Sequence, residues 1–114
     1  RWDSSNGGTS RYIKFGWSDN GGTFSDSLSI EGSQAGLFAH QDFRPYNDNQ
    51  YDLGSSSLRW ANIYTADLQM SNEGSVNDVD GTWGKYTIQE GENDLFLINR
   101  RSGKKYKFML QEVE

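Results

Sequence analysis

The densest group of functional side chains is basic: Arg100, Arg101, Lys104, Lys105 and Lys107 fall between positions 100 and 107. Arg100-Arg101-Ser102-Gly103 reads as a turn, and hairpin geometry gathers several of these charges at one loop. Two kinds of chemistry fit. The lysines can stay solvated and protect a sheet edge. Alternatively, the cluster can hold an anion such as phosphate, sulfate or an acidic sugar, with arginine supplying a planar bidentate fork. Trp83 offers a ring for stacking on a sugar, as do Trp2, Trp17 and Tyr46, unless these aromatics form the core. The candidate ligand-contact set is Arg100, Arg101, Lys104, Lys105 and Trp83.

Residues for catalysis are scarce. His40 is the only histidine. Asp42 or a serine could partner it, but no nucleophile elbow or triad spacing surrounds it. In a trimer, three copies of His40 on the axis could hold a metal. Asn47-Asp48-Asn49 with Asp52, and Asp78-Val79-Asp80-Gly81, look like pieces of oxygen-ligand loops. Neither has the alternating ligands and terminal bidentate glutamate of an EF-hand, and Asx-rich turns explain both. Glu90, Glu92 and Asp94 sit in a turn, without the apolar surroundings that raise the pKa of a glycosidase acid. With no cysteine in the chain, disulfides, thiolate metal sites and a cysteine nucleophile are excluded. No catalytic residue, metal ligand or cofactor is expected.

The elements that must carry these side chains are short strands. In Arg11 to Trp17, alternation puts Ile13, Phe15 and Trp17 on one face. Asp19-Asn20-Gly21-Gly22 is a hairpin turn, and the return run places Phe24, Leu28 and Ile30 together. Asp26 interrupts that face, which suits an edge strand or a wet axis. Gly32 to Gly36 breaks the chain, and Leu37 to Phe43 is extended until Arg44-Pro45 ends it. Ser55-Ser56-Ser57 can cap a short helical turn over Leu58 to Tyr64, with Trp60, Ile63 and Tyr64 on one face. Thr65 to Ser71 alternates again, with Ala66, Leu68 and Met70 in register. Asn72 to Gly81 is rich in Asn, Asp, Gly and Ser and reads as a linker. Beyond it, three strands are expected as a meander. They are Trp83 to Gln89, the doubly apolar and hence central Leu95 to Asn99, and Lys104 to Leu110 with Tyr106, Phe108 and Leu110 inward. The expected organisation is a body at 1–71, a linker at 72–81 and a tip at 82–114.

Composition explains why such a chain needs company. Leu, Ile, Val and Phe make up 22 of 114 residues, whereas Gly, Pro, Ser and Asn make up 37. With a net charge of −5, those figures lean toward disorder. The 14% aromatic content opposes that reading, since each aromatic buries a large area. A turn-rich, aromatic-anchored β protein with a thin aliphatic core reconciles the two, and a thin core is more easily completed by association. Residues 1–84 carry net −6 and residues 85–114 net +1. The acidic bulk opposes nucleic-acid binding. No apolar run is long enough to insert in a membrane as a helix. The opening Arg1-Trp2-Asp3-Ser4 suggests a piece of a longer polypeptide.

One stretch resembles a known family. Asp52-Leu53-Gly54-Ser55-Ser56-Ser57-Leu58-Arg59-Trp60, followed by Ile63-Tyr64 and preceded by the polar lead-in Pro45 to Gln50, is similar to a segment near the C-terminal end of phage tail fibres and tail spikes. Trp83 to Glu92, with Leu95 to Lys107, also resembles the C-terminal tips of fibre-like proteins of aquatic phages. The resemblance implies an intertwined parallel homotrimer, all-β, with a small sheet at its tip. It also implies a place at the distal end of the fibre on the virion, and a bacterial surface glycan or lipopolysaccharide as receptor. Leu53, Trp60, Ile63 and Tyr64 would pack between chains. In many relatives this segment leads into a self-cleaving chaperone that opens with Ser-Asp and nearby basic residues. Here Ser71 is followed by Asn72-Glu73-Gly74, and no Lys or Arg appears until Lys85. A short β tip is expected instead. Two other functions fit the same architecture: a polysaccharide-degrading spike fragment, and a purely structural trimerisation tip.

Overall fold

A computed structural model describes residues 2–4, 11–18, 21, 24–31 and 36–114. The chain is all-β. Its strands form two antiparallel sheets, ordered β1-β2-β3-β4 and β5-β6-β7-β8. They belong to two compact units, Arg1–Ser55 and Ser56–Glu114.

In the first unit, β1 (Trp2–Ser4), β2 (Arg11–Ser18), β3 (Phe24–Glu31) and β4 (Gly36–Ala39) pair in sequence order. The expected hairpin is the β2–β3 pair. Of its turn, Asp19, Asn20 and Gly22 lie outside the described residues, as do 32–35 of the next break. Register aligns Ile13, Ile30 and Leu37 across three strands, and likewise Phe15, Leu28 and Ala39. The register then shifts between Phe15 and Gly16, so Asp26 falls opposite Gly16. Although β3 as a whole is internal to its sheet, its pairing with β4 runs only from Leu28 to Glu31. At Asp26 the strand is therefore ladder-paired with β2 alone, the local edge position that the acid suits. The bulge supplies the extra residue that re-aims the strand there.

The second sheet is built from β5 (Leu68–Ser71), β6 (Lys85–Glu90), β7 (Leu95–Asn99) and β8 (Lys105–Lys107). As expected of a strand apolar on both sides, β7 is internal. The tip, however, has one strand more than the three-stranded meander expected from the sequence. Leu68–Ser71, assigned to the body by its place before the linker, pairs with Lys85–Ile88. The segment 72–84 is thus the connection of a β5–β6 hairpin.

Cross-strand register sorts the side chains of this sheet by chemistry. Leu68, Ile88, Leu97 and Tyr106 form one row across four strands. Met70, Tyr86 and Asn99 form the next row on that face. Gln69, Thr87, Ile98 and Lys105 form a row on the opposite face. The apolar face remains open: Leu68 (45%), Met70 (42%) and Tyr106 (47%) are all substantially exposed. Ile98, at 8% exposure, is the buried hydrophobic side chain of this sheet.

Two further expectations are corrected. Leu58 to Tyr64 contains no helical turn. Its Asn62, aromatic and β-branched residues are weak helix formers, and one isolated turn does not survive without packing. The last strand ends at Lys107, and Leu110, expected to point inward, is exposed. Leu53, Trp60, Ile63 and Tyr64 are likewise exposed within the single chain, Trp60 at 64%. They therefore contribute little burial to either unit of the isolated chain.

Candidate functional site

The expected basic cluster is split by the sheet into two environments. Arg100 lies at the end of β7, where its backbone N–H donates to the Lys85 carbonyl at 2.7 Å. Its side chain turns onto the polar face, and Nε donates to Thr87 Oγ1 at 3.0 Å. The Thr87 hydroxyl in turn donates to Gln69 Oε1 at 2.6 Å. Thr87 is 0% exposed, so this chain fixes Arg100 as a cross-strand tie. Lys105 shares that face through its register with Ile98. Lys107, at the far end of β8, lies 3.6 Å from Asp94.

Arg101 goes elsewhere. Its guanidinium carbon sits 3.7 Å from the centroid of the Trp83 ring. Nη1 also donates to the Trp83 carbonyl at 2.8 Å. A guanidinium over an indole face is held by the ring quadrupole as well as by this hydrogen bond. The turn beneath it is organised by Asn99, whose Oδ1 accepts from the N–H groups of Arg101 and Ser102. Gly103 closes the turn at φ +76°, a conformation suited to glycine. Lys104 follows, with its N–H donating to Ser102 Oγ.

The segment expected to be a linker is an ordered loop. Asn77 Oδ1 accepts from the backbone N–H groups of Val79 and Asp80, while its Nδ2 donates to Asp80 Oδ1 and to the Thr82 carbonyl. Asp80 Oδ1 also accepts from the Thr82 N–H and hydroxyl. These bonds, led by those from the Thr82 and Asn77 side chains, hold the Asp80 carboxyl below its ordinary 3.8. Asn72 Oδ1 accepts from the Gly84 N–H at 2.7 Å, tying the loop's two ends together. Tyr86 lies so close to Gly84 that an added Cβ would fall 2.8 Å from the Tyr86 ring.

Trp83 stands between two open clefts. One, of about 440 Å³, is lined by Ser71, Asn72, Asn77 and Asp80 together with Trp83 and Tyr86. The other, of about 480 Å³, is lined by Asn99, Arg101 and Ser102 together with Trp83 and Tyr86. The structure therefore brings Trp83 and Arg101 together and leaves Arg100 and Lys105 on a sheet face.

In the first unit, His40 Nε2 lies 2.9 Å from Ser29 Oγ. Ser29 is fully buried, so the pair joins β4 to β3 and presents no hydroxyl to a substrate. Asp42 instead faces Arg44 at 3.9 Å, with both side chains exposed. Phe43, Tyr46, Tyr51 and Asp52 line an open, aromatic cavity of about 520 Å³, which Asn47 to Gln50 do not line. Asn47 Nδ2 donates to the Tyr51 hydroxyl at 3.4 Å. Among the described residues, no three His, Asp or Glu side chains gather. Neither a protein-family model, a curated protein nor a solved structure matches the chain.

Proposed function

We propose that the chain is the receptor-binding end of a homotrimeric fibre of the phage tail-fibre kind. It would sit at the distal end of the fibre on the virion and attach to a bacterial surface glycan. One observation carries the reading: a well-paired sheet with an uncovered apolar face. A sheet of this size needs such a face covered to be stable. The strand-free segment from His40 to Asp67 adds further exposed apolar surface, with Phe43, Tyr46, Leu53, Leu58, Trp60, Ile63 and Tyr64 all exposed. Intertwined copies of the chain would bury these residues against one another.

Receptor contact in such an assembly is multivalent, since three weak sites on one tip raise avidity through effective concentration. The test is saturable attachment of fluorescently labelled protein to a panel of bacterial strains. Attachment that periodate oxidation of the cells abolishes supports a glycan receptor. Absence of saturable attachment across strains with diverse capsules and lipopolysaccharides refutes the receptor-binding reading.

A further inference from the structure

We propose that the two clefts flanking Trp83 form one site for an acidic oligosaccharide, with a neutral sugar ring on the Asp80 side and a carboxylate or sulfate on the Arg101 side. The inference rests on the receptor-binding reading above and names the site and ligand class within it. The clefts share four lining residues, Thr82, Trp83, Gly84 and Tyr86. Each is of the size that holds a small ligand, and the Trp83 indole that lines both offers apolar surface to sugar C–H groups.

Their polar linings differ in sign. On one side, Asp80 uses Oδ1 for its bonds to Asn77 and Thr82, and Oδ2 takes part in none of these. A fixed carboxylate oxygen accepts strongly from sugar hydroxyls. On the other side, Arg101 bonds through Nη1 and stacks on Trp83. The rest of its planar donor edge is suited to a carboxylate or sulfate. Both groups are held before any ligand arrives. Asn77 organises the loop that carries Asp80, and Asn99 organises the turn that carries Arg101. Preorganisation of this kind lowers the ordering cost of binding.

The experiment follows the indole N–H of Trp83 by NMR as the whole protein is titrated with an aldobiuronic acid, a hexuronic acid linked to a neutral hexose, or with its methyl ester, which carries the same sugars without charge. The acidic disaccharide is expected to shift the Trp83 resonance saturably. Loss of a charge-assisted contact is worth about tenfold or more in affinity, so the ester should bind at least that much more weakly. Arg101→Gln should bring the acidic ligand down to the level of the ester. Arg101→Lys, which keeps the charge, should retain most of the difference, and Asp80→Asn should weaken both ligands. No shift with either ligand, or equal affinity for both, overturns the proposal. Light scattering on the same samples separates the two readings. A trimer silent at Trp83 overturns the site and leaves the fibre reading standing, whereas a monomer that shifts Trp83 does the reverse.

Discussion

Replacing Leu68 by Glu puts a charge into the row Leu68–Ile88–Leu97–Tyr106 without removing any backbone pairing. In the isolated chain the effect is limited. Leu68 is already 45% exposed, so only about half of the 1.5–3 kcal/mol for full burial of a leucine is at stake, roughly 1–1.5 kcal/mol. The new carboxylate would remain in water. If copies of the chain cover this face, the carboxylate must instead be buried among apolar side chains. An uncompensated buried charge costs about 3–5 kcal/mol, equivalent to roughly two to four decades in association constant per site. Sedimentation velocity over a concentration series is the assay. The variant should dissociate at concentrations where the wild type remains assembled. Leu68→Met, which conserves volume, should leave assembly within about 1.5 kcal/mol of wild type. A Leu68→Glu protein with wild-type mass at submicromolar concentration would show that the face is not an interface.

Trp60→Ala should change the stability of a single chain little, because Trp60 is 64% exposed. In an assembly that buries Trp60, the loss should approach about 3–5 kcal/mol per chain, read as a lower, concentration-dependent melting point. Thr87→Val keeps the shape but removes both bonds of a fully buried hydroxyl. It should lower unfolding free energy by about 1–3 kcal/mol in urea titrations, and an unchanged midpoint would mean that the tie through Arg100 contributes nothing. The Asp80 loop should respond to acid. Its pKa is depressed in the folded chain, so its contribution is present above the unfolded value and is lost as pH falls through the lower folded value. Protection of the Val79 and Thr82 amides, relative to their intrinsic exchange at each pH, should fall below about pH 3.8, the ordinary aspartate value, and Asp80→Asn should remove that pH dependence.

The strand pattern was legible where alternation was strong. Leu95 to Asn99 is apolar at nearly every position and occupies the interior of its sheet. Leu68–Ser71 was readable as a strand but not as a partner of β6, because its pairing depends on how the segment 72–84 turns back. A signal for that turn is present in Asn77-Asp78-Val79-Asp80-Gly81-Thr82, where the Asn77 and Asp80 side chains are spaced to accept from backbone N–H groups two and three residues on. Composition alone made the same segment look like a linker. The burial of Thr87 was hidden for another reason. A threonine facing the side of a sheet that carries Gln69 and Lys105 gives no sequence sign of complete enclosure, which comes from Gln69 and Arg100 closing over it. Likewise, five basic residues near one turn looked like one cluster. Alternation along the strand and the stacking of Arg101 on Trp83 divide them.

The most direct test of the account is the mass of the purified protein in solution, measured by light scattering across a micromolar concentration range. The fibre proposal, which the uncovered apolar sheet face and the exposed Arg-Trp segment support, predicts a trimer at three times the 12.9 kDa chain mass, unfolding as one cooperative unit. A cooperatively folded 12.9 kDa monomer at those concentrations would contradict it.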